Sequence, residues 1–241
     1  MPSQTSLSAR AALIALTEDV AAGRGAGFPG LSALPASADA RSSAVLILFG
    51  ILDGLPSDHR AASDAVSRDL DVLLLERAAT LRAHPGQVAF PGGRLDPQDS
   101  GPVDAALREA QEETGLDPDG VEVLGMLERV PLAFSQNLVT PVVAWWRHPS
   151  EVRVVDEAES AAVFRAPVAD LLDPAHRGVT VIRRDGRTWS GPGFTVERDG
   201  REFLVWGFTA MLLDGLFERL GWTEPWDRAR ELPLDLDGLP R

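Results

Sequence analysis

The spacing of apolar side chains changes period several times along this chain, and each change marks an element. Leu13, Leu16 and Val20 recur at helical spacing and predict a helix over residues 6–21. Gly23–Ala40 loses that period and fills with Gly, Pro, Ser and Ala, the composition of a linker or wrapping loop. Ser43–Leu52 is dense in β-formers and predicts a buried strand, Leu70–Arg77 a second, and Gln87–Phe90 a short third. After a helical stretch near residues 102–114, Val121–Val130, Leu138–Trp146 and Ser160–Pro167 read as strands, with Pro131, Ser135 and Asn137 in a loop. Val168–Leu172 reads as a helical turn. Asp185-Gly186 and Asp199-Gly200 are favoured two-residue turns, so Val179–Arg184 and Phe194–Arg198 each open a hairpin, and Phe203–Trp206 closes the run. Gly207–Leu220 is an amphipathic helix through Phe208, Met211, Leu212, Leu216 and Leu220, stopped by Gly221. Strands, a helix, more strands and a final helix give an α+β class with a mixed sheet. The expected division is an N-terminal helix and linker over 1–40, a main domain over 41–225 and a tail over 226–241. There is no internal repeat and no low-complexity tract.

The helix near 102–114 carries the chemistry. Glu109 and Glu113 are four residues apart, about 40° around the axis and about 6 Å along it, and Glu112 flanks them at roughly 60°. Like charges at that spacing destabilise a bare helix. A hard divalent cation removes the conflict, because Mg²⁺ takes oxygen ligands from a few carboxylates plus substrate phosphates. Pro102 suits the first helical position, Asp104 favours the dipole of the first turn, and Gly115 can adopt the left-handed conformation that ends a helix. Ala106, Leu107 and Ala110 form a small apolar side. Just upstream, Phe90-Pro91-Gly92-Gly93 is a turn whose glycines let backbone approach closely.

Charge and composition narrow the partners. Lys+Arg number 23 against 36 Asp+Glu, a formal charge of −13, so the chain has no electrostatic footprint for nucleic acid or an anionic membrane. It does not attract a polyanion at long range either, so any polyanionic ligand would have to be met by local cations and arginines. The chain has no cysteine, which excludes disulfides, a thiol nucleophile and zinc–thiolate sites. The longest apolar run, Ala44–Phe49 into Ile51-Leu52, is too short to span a bilayer. The apolar patch Ala11–Leu16 lacks a basic start and a cleavage site and is followed by Glu18-Asp19, so it is not read as a signal peptide. The expected compartment is the cytoplasm. Oligomeric state stays open, a homodimer included.

Arg108-Glu109-Ala110-Gln111-Glu112-Glu113-Thr114-Gly115-Leu116 resembles the core of the Nudix box of Nudix hydrolases. The loop from Gly93 to Arg108 is one residue longer than in the usual box, and the nearest carboxylate to the acid position is Asp99, with Ser100 at the counted place. That longer loop resembles the coenzyme A diphosphatase branch. Leu73-Leu74-Leu75-Glu76-Arg77-Ala78, continuing through Arg82 and Gly86 to Phe90-Pro91-Gly92-Gly93, is similar to the coenzyme A motif, with Leu75 where that motif has threonine. Val205–Ala210 resembles a C-terminal segment of the same branch.

The resemblance implies a Nudix fold, an α/β/α sandwich with a mixed β-sheet, and a Mg²⁺- or Mn²⁺-dependent attack of water on a diphosphate. Glu109, Glu112 and Glu113 are the implied metal ligands, with Glu112 a third ligand or the base that activates water. Glu112, Glu113 and Arg108 form the candidate catalytic set, Arg108 as a salt-bridge donor paired with Asp99 rather than a reacting group. Arg77 and Arg82 are candidates for gripping phosphate, since a guanidinium binds it bidentately. His84, Gly92 and Gly93 complete the candidate substrate site. His59, His84, His148 and His176 are scattered, with no H-x3-H spacing, and no Asp–His pairing is expected for them. Glu157 and Glu159 are candidate remote acids. Trp145 and Trp146 alternate on a strand, so at most one is expected to face the core. The implied substrate is a small nucleotide diphosphate, coenzyme A or its thioesters, giving adenosine 3′,5′-bisphosphate and a 4′-phosphopantetheine product. ADP-ribose or a nucleoside triphosphate is the alternative, and a non-catalytic nucleotide sensor a third.

Overall fold

The glycine turn sits where two strands of the central sheet splay apart, and most of the fold serves to hold that gap open. The computed structural model describes residues 4–28, 31, 40–51, 56–81, 84–132, 136–184 and 186–234. Its elements, in chain order, are α1 (Gln4–Ala21), β1 (Arg41–Ile51), β2 (Leu70–Arg77), β3 (Val88–Ala89), β4 (Gly92–Arg94), α2 (Pro102–Thr114), β5 (Val121–Met126), β6 (Val130–Leu132), β7 (Asn137–Trp146), β8 (Ser160–Pro167), α3 (Val168–Leu172), β9 (Arg177–Arg184), β10 (Arg187–Arg198), β11 (Arg201–Val205), α4 (Gly207–Arg219) and β12 (Glu231–Leu232).

The first sheet runs β3-β2-β1-β7-β5, with β4 on β1, β6 on β7 and β8 on β2. β1 and β7 are parallel over nine residue pairs; the other pairs are antiparallel. β1 meets β2 only at Phe49–Ile51 and Leu70–Val72. Toward their other ends the two strands diverge. β3 takes up the freed edge of β2, and β4 takes up Ser43–Val45 of β1. The connection between β3 and β4 is Phe90-Pro91, so the turn is wedged into the splay.

Both faces of this sheet are covered. Ala44, Leu46, Leu48, Leu73, Val142, Ala144 and Trp146 pack against Ala105, Ala106 and Ala110 of α2. Ile47, Phe49, Val72, Leu74, Val143 and Trp145 face a second, larger cluster that includes Leu13 of α1 and Leu212, Leu213 and Leu216 of α4. The expected α+β class with a mixed sheet between helices is the fold observed. Trp145 and Trp146 correct one expectation: both are buried, because each has a packed layer on its own side. Among the described residues no helix is long and apolar enough to cross a membrane.

A second sheet, β11-β10-β9-β12, packs beside α4. The two expected hairpins share one long strand: β10 runs through Gly191-Pro192-Gly193, which sequence reading left outside any strand. β11 pairs only with Phe194–Arg198, so Pro192 lies where β9 alone flanks β10, and an edge tolerates a missing N–H. Pro131, expected in a loop, lies in the short strand β6. The expected tail is docked as far as β12. Leu232 pairs in parallel with Thr180 and fills space left by two glycines, since a Cβ on Gly178 or Gly193 would stand 2.7 or 3.0 Å from its side chain.

The described part of the N-terminal arm is tied down along its length. Arg10 pairs with Glu122, and the Thr17 hydroxyl donates to the Leu124 carbonyl at 3.1 Å. Gly125 makes this approach possible: it sits at a strand irregularity with φ 155, and a Cβ there would be 2.7 Å from Thr17 Cβ. Beyond the helix, the Gly27 amide donates to Glu128, which also takes Arg219 of α4 at 2.8 Å. Phe28 is buried against Gly215, where a Cβ would come within 2.7 Å of its ring.

Phe28→Ala should therefore lower unfolding free energy by about 3 kcal/mol, the usual cost of emptying a buried aromatic site. Urea denaturation would measure it. A loss below about 1 kcal/mol would show that the strap contributes little.

Candidate active site

α2 forms where sequence reading put it, from Pro102 to Thr114, and the local causes are visible. Pro102 opens the helix, and Asp104 in the first turn accepts from the Ser100 amide at 3.2 Å and from the Ser100 hydroxyl. Gly115 takes a left-handed φ of 71 and its amide closes on the Gln111 carbonyl. The buried face carries Ala105, Ala106 and Ala110, side chains small enough to bring the helix axis close to β1 and β7.

That close approach sets Glu109 and Glu113 against the glycine turn. The Gly92 amide donates to Glu113 Oε2 at 2.9 Å. Gly92 has φ 155, and a Cβ there would lie 2.3 Å from the Ala44 carbonyl oxygen. A Cβ on Gly93 would lie 2.3 Å from the Glu109 carboxyl carbon. Each glycine thus has a separate duty: Gly92 lets the turn lie on β1, and Gly93 leaves the space that the Glu109 carboxylate occupies.

The three glutamates differ in surroundings. Glu113 is 9% exposed, and burial pushes its carboxyl up to about 7. The Gly92 N–H opposes that shift, the Glu109 charge adds to it, Arg77 opposes it and Glu159 adds to it. Glu109 is also raised, first by burial, against the pull of Arg108. Glu112 is 59% exposed, with its carboxylate on Arg108 Nη1 at 3.0 Å.

Arg108 joins the set together. Its Nε and Nη2 donate to the two oxygens of Asp99 at 3.0 and 3.1 Å, a bidentate pair. Its Nη1 reaches Glu109 and Glu112, and Nη2 also reaches the Arg94 carbonyl at 3.1 Å. Hydrogen bonding from Arg108, then from the Asp96 amide, holds the Asp99 carboxyl below the usual carboxylate range. The expected pairing of Arg108 with Asp99 is present. Sequence reading missed Asp96, 3.8 Å from Arg108, and the Arg94 carbonyl; the turn that brings Asp96 there closes through Asp96 N–H to Asp99 at 2.7 Å.

Arg77 ends β2 close enough to act on the charge of Glu113, and its buried Nε has no hydrogen-bond partner among the described residues. Arg82 lies outside the described residues. His84 is exposed, with left-handed backbone at φ 56. Glu159 comes near Glu113 because its carbonyl accepts from the Ala78 amide at 2.8 Å, just past Arg77. Among the described residues no three carboxylates or imidazoles converge into a ready metal cage. What the helix offers is narrower: two shielded carboxylates, Glu109 and Glu113, beside the paired glycines Gly92 and Gly93.

Another part of the molecule corrects the histidine reading. His59 lies 3.0 Å from Glu224 and 3.6 Å from Asp173, pairings between residues remote in sequence. His59 and Asp173 border a cleft of about 510 Å³ that is also lined by residues 56–58, Asp170, His176 and Arg198 and by none of the helix glutamates.

The NUDIX domain model matches residues 58–184. The uncharacterized Nudix hydrolase NudL of Cronobacter sakazakii is 40% identical over 153 residues, 62% of this chain and 75% of that protein. NudL of Salmonella newport is 38% identical over 159 residues, again 62% and 75%. Among solved structures, the Nudix hydrolase RenU from M. Smegmatis is similar over 52% of this chain and 69% of its own, at 25% identity and a TM-score of 0.39. With an acidic helix seated on a double-glycine turn and a family match over more than half its length, the chain belongs to the Nudix hydrolase family.

Proposed function

We propose that this chain hydrolyses the diphosphate bond of coenzyme A or acyl-coenzyme A, releasing adenosine 3′,5′-bisphosphate and 4′-phosphopantetheine or its acyl form. The observation that carries the reading is Arg77, whose buried Nε has no hydrogen-bond partner among the described residues and whose charge acts on Glu113 of the acidic helix. It belongs to the upstream motif that resembles the coenzyme A branch, and the lengthened loop with Asp99 points the same way.

Glu109 and Glu113, with Glu112, would hold Mg²⁺ or Mn²⁺, which supplies charge neutralisation at phosphate oxygens and an activated water. The residues fit that group. Mg²⁺ is commonly held by one or two carboxylates plus substrate phosphates, and here two shielded carboxylates lie against a glycine pair that leaves room for the Glu109 carboxylate. Around them, the Gly92 amide fixes Glu113 and the Asp99-anchored Arg108 restrains Glu109. Glu112, the most exposed of the three, would leave Arg108 Nη1 to turn inward as a third ligand or as the base. In this reading Arg77 and Arg82 grip the phosphates, and His84 follows two residues after Arg82 in the chain.

The test is turnover of coenzyme A and acyl-coenzyme A with Mg²⁺ or Mn²⁺, beside ADP-ribose and dGTP. Coenzyme A substrates should be preferred. Glu113→Gln should cut turnover on the order of 100-fold or more while the fold is kept, since glutamine can still accept from Gly92. A preference for ADP-ribose or dGTP would replace the coenzyme A reading, and ligand binding without any turnover would favour a sensor.

A pH effect on metal binding follows from burial. In metal-free protein Glu113 is protonated below about 7, and a cation needs the carboxylate. Affinity for Mn²⁺ should therefore fall as pH drops through about 7 and level off above it. Calorimetry in two buffers of different ionisation heat should show about one proton released per Mn²⁺ near pH ~6 and almost none near pH ~8.5. No release at the lower pH would show that Glu113 does not give up a proton when Mn²⁺ binds.

A further inference from the structure

Alternation along β2 puts neighbouring residues on opposite faces of the sheet. Leu73 packs into the cluster beneath α2, while Val72 and Leu74 pack on the other side with the second sheet and α4. Continuing the pattern, Arg77 shares the α2 face and Glu76 points toward the second sheet. There Arg201, at the start of β11, donates to Glu76 Oε1 at 2.6 Å.

This pair is sheltered on one side only: the Arg201 side chain is 54% exposed, its carboxylate partner far less. The Glu76 side chain is only 12% exposed, and its second oxygen is buried without a partner among the described residues. The Arg201 guanidinium lies over the Phe203 ring at 4.7 Å, and that ring stacks on Phe164 of β8 at 4.3 Å. The cation is thus fixed from below, and among the described residues the carboxylate has no other charge partner. The backbone at this point is irregular: β8 carries one extra residue, Ala161, between the partners of Glu76 and Arg77. Bulges re-aim side chains and loosen the ladder. The turn after Arg77 hangs from Gly86 N–H to the Arg77 carbonyl at 3.1 Å and Arg77 N–H to the Gln87 carbonyl at 3.0 Å.

We propose that Arg201 is a positioning residue: its ion pair with Glu76 clamps the bulged end of β2 from behind, so that Arg77 faces the acidic helix and the substrate phosphate. The proposal rests on the reading of Arg77 as a phosphate-gripping residue. Arg201 lies beyond residues 58–184, the span that the family model covers, so the second sheet contributes to a site it does not line. Without the guanidinium, the buried Glu76 carboxylate must reach water, and the strand end must turn to let it.

Arg201→Met keeps an apolar stem on Phe203 and removes the charge. On the diphosphate substrate turned over fastest, KM should rise about fivefold or more with kcat within about twofold, because Arg77 binds the substrate phosphate in ground and transition states alike. Arg201→Lys should recover most of the loss. Amide hydrogen exchange at Gly86, Gln87 and Val88 should quicken about tenfold in Arg201→Met and return toward wild type in Arg201→Lys. An unchanged KM in folded Arg201→Met, or an equal loss in Arg201→Lys, would overturn the proposal. If the wild-type protein turns over no substrate, the functional reading fails by itself; the exchange rates still decide the clamp, and unchanged rates would overturn it.

Discussion

A carboxylate kept out of water against a backbone amide governs the working end of this molecule. Glu113 and the Gly92 N–H couple α2 to the strand turn at the mouth of the splay between β1 and β2. Burying Glu113 raises its affinity for a proton, and the neighbouring Glu109 raises it further. Neither effect helps the helix to form. The stabilising contribution comes from the other side of α2, where Ala105, Ala106 and Ala110 pack into the sheet. The fold thus holds a locally unfavourable concentration of charge, a condition that a divalent cation relieves.

The remainder of the chain braces that geometry from outside. α1 lies along β5, and the strap through Gly27 and Phe28 ties it to α4 by way of Glu128. The second sheet reaches back through Arg201 to the strand end that bears Arg77. A buried Arg177, paired with Asp214 and flanked by the rings of Phe194 and Trp226, fastens the segment leading to β12. These are long-range pairings of opposite charges and rings, and none has a sequence period.

Local physics accounts for what was legible beforehand. α2 announces itself through Pro102, the i,i+4 glutamates and Gly115, all within fourteen residues, and β2 and β8 are bounded by clear composition changes. The unreadable features depend on partners far along the chain. Leu232 joins a strand because Gly178 and Gly193 vacate space for it. Trp145 and Trp146 are both covered because the sheet has two packed faces, which one strand cannot reveal. His59 gains acidic neighbours from residues more than one hundred positions away. At the site, the glutamates and glycines were visible as a spacing, whereas Gly93 as the seat of the Glu109 carboxylate required the fold.

The central claim is that this acidic helix face, pressed on a double-glycine turn, is where the cation sits. Anomalous diffraction from crystals soaked in Mn²⁺ tests it most directly. A manganese peak within bonding distance of the Glu109 and Glu113 carboxylates is expected; peaks elsewhere with none beside these two residues would contradict it.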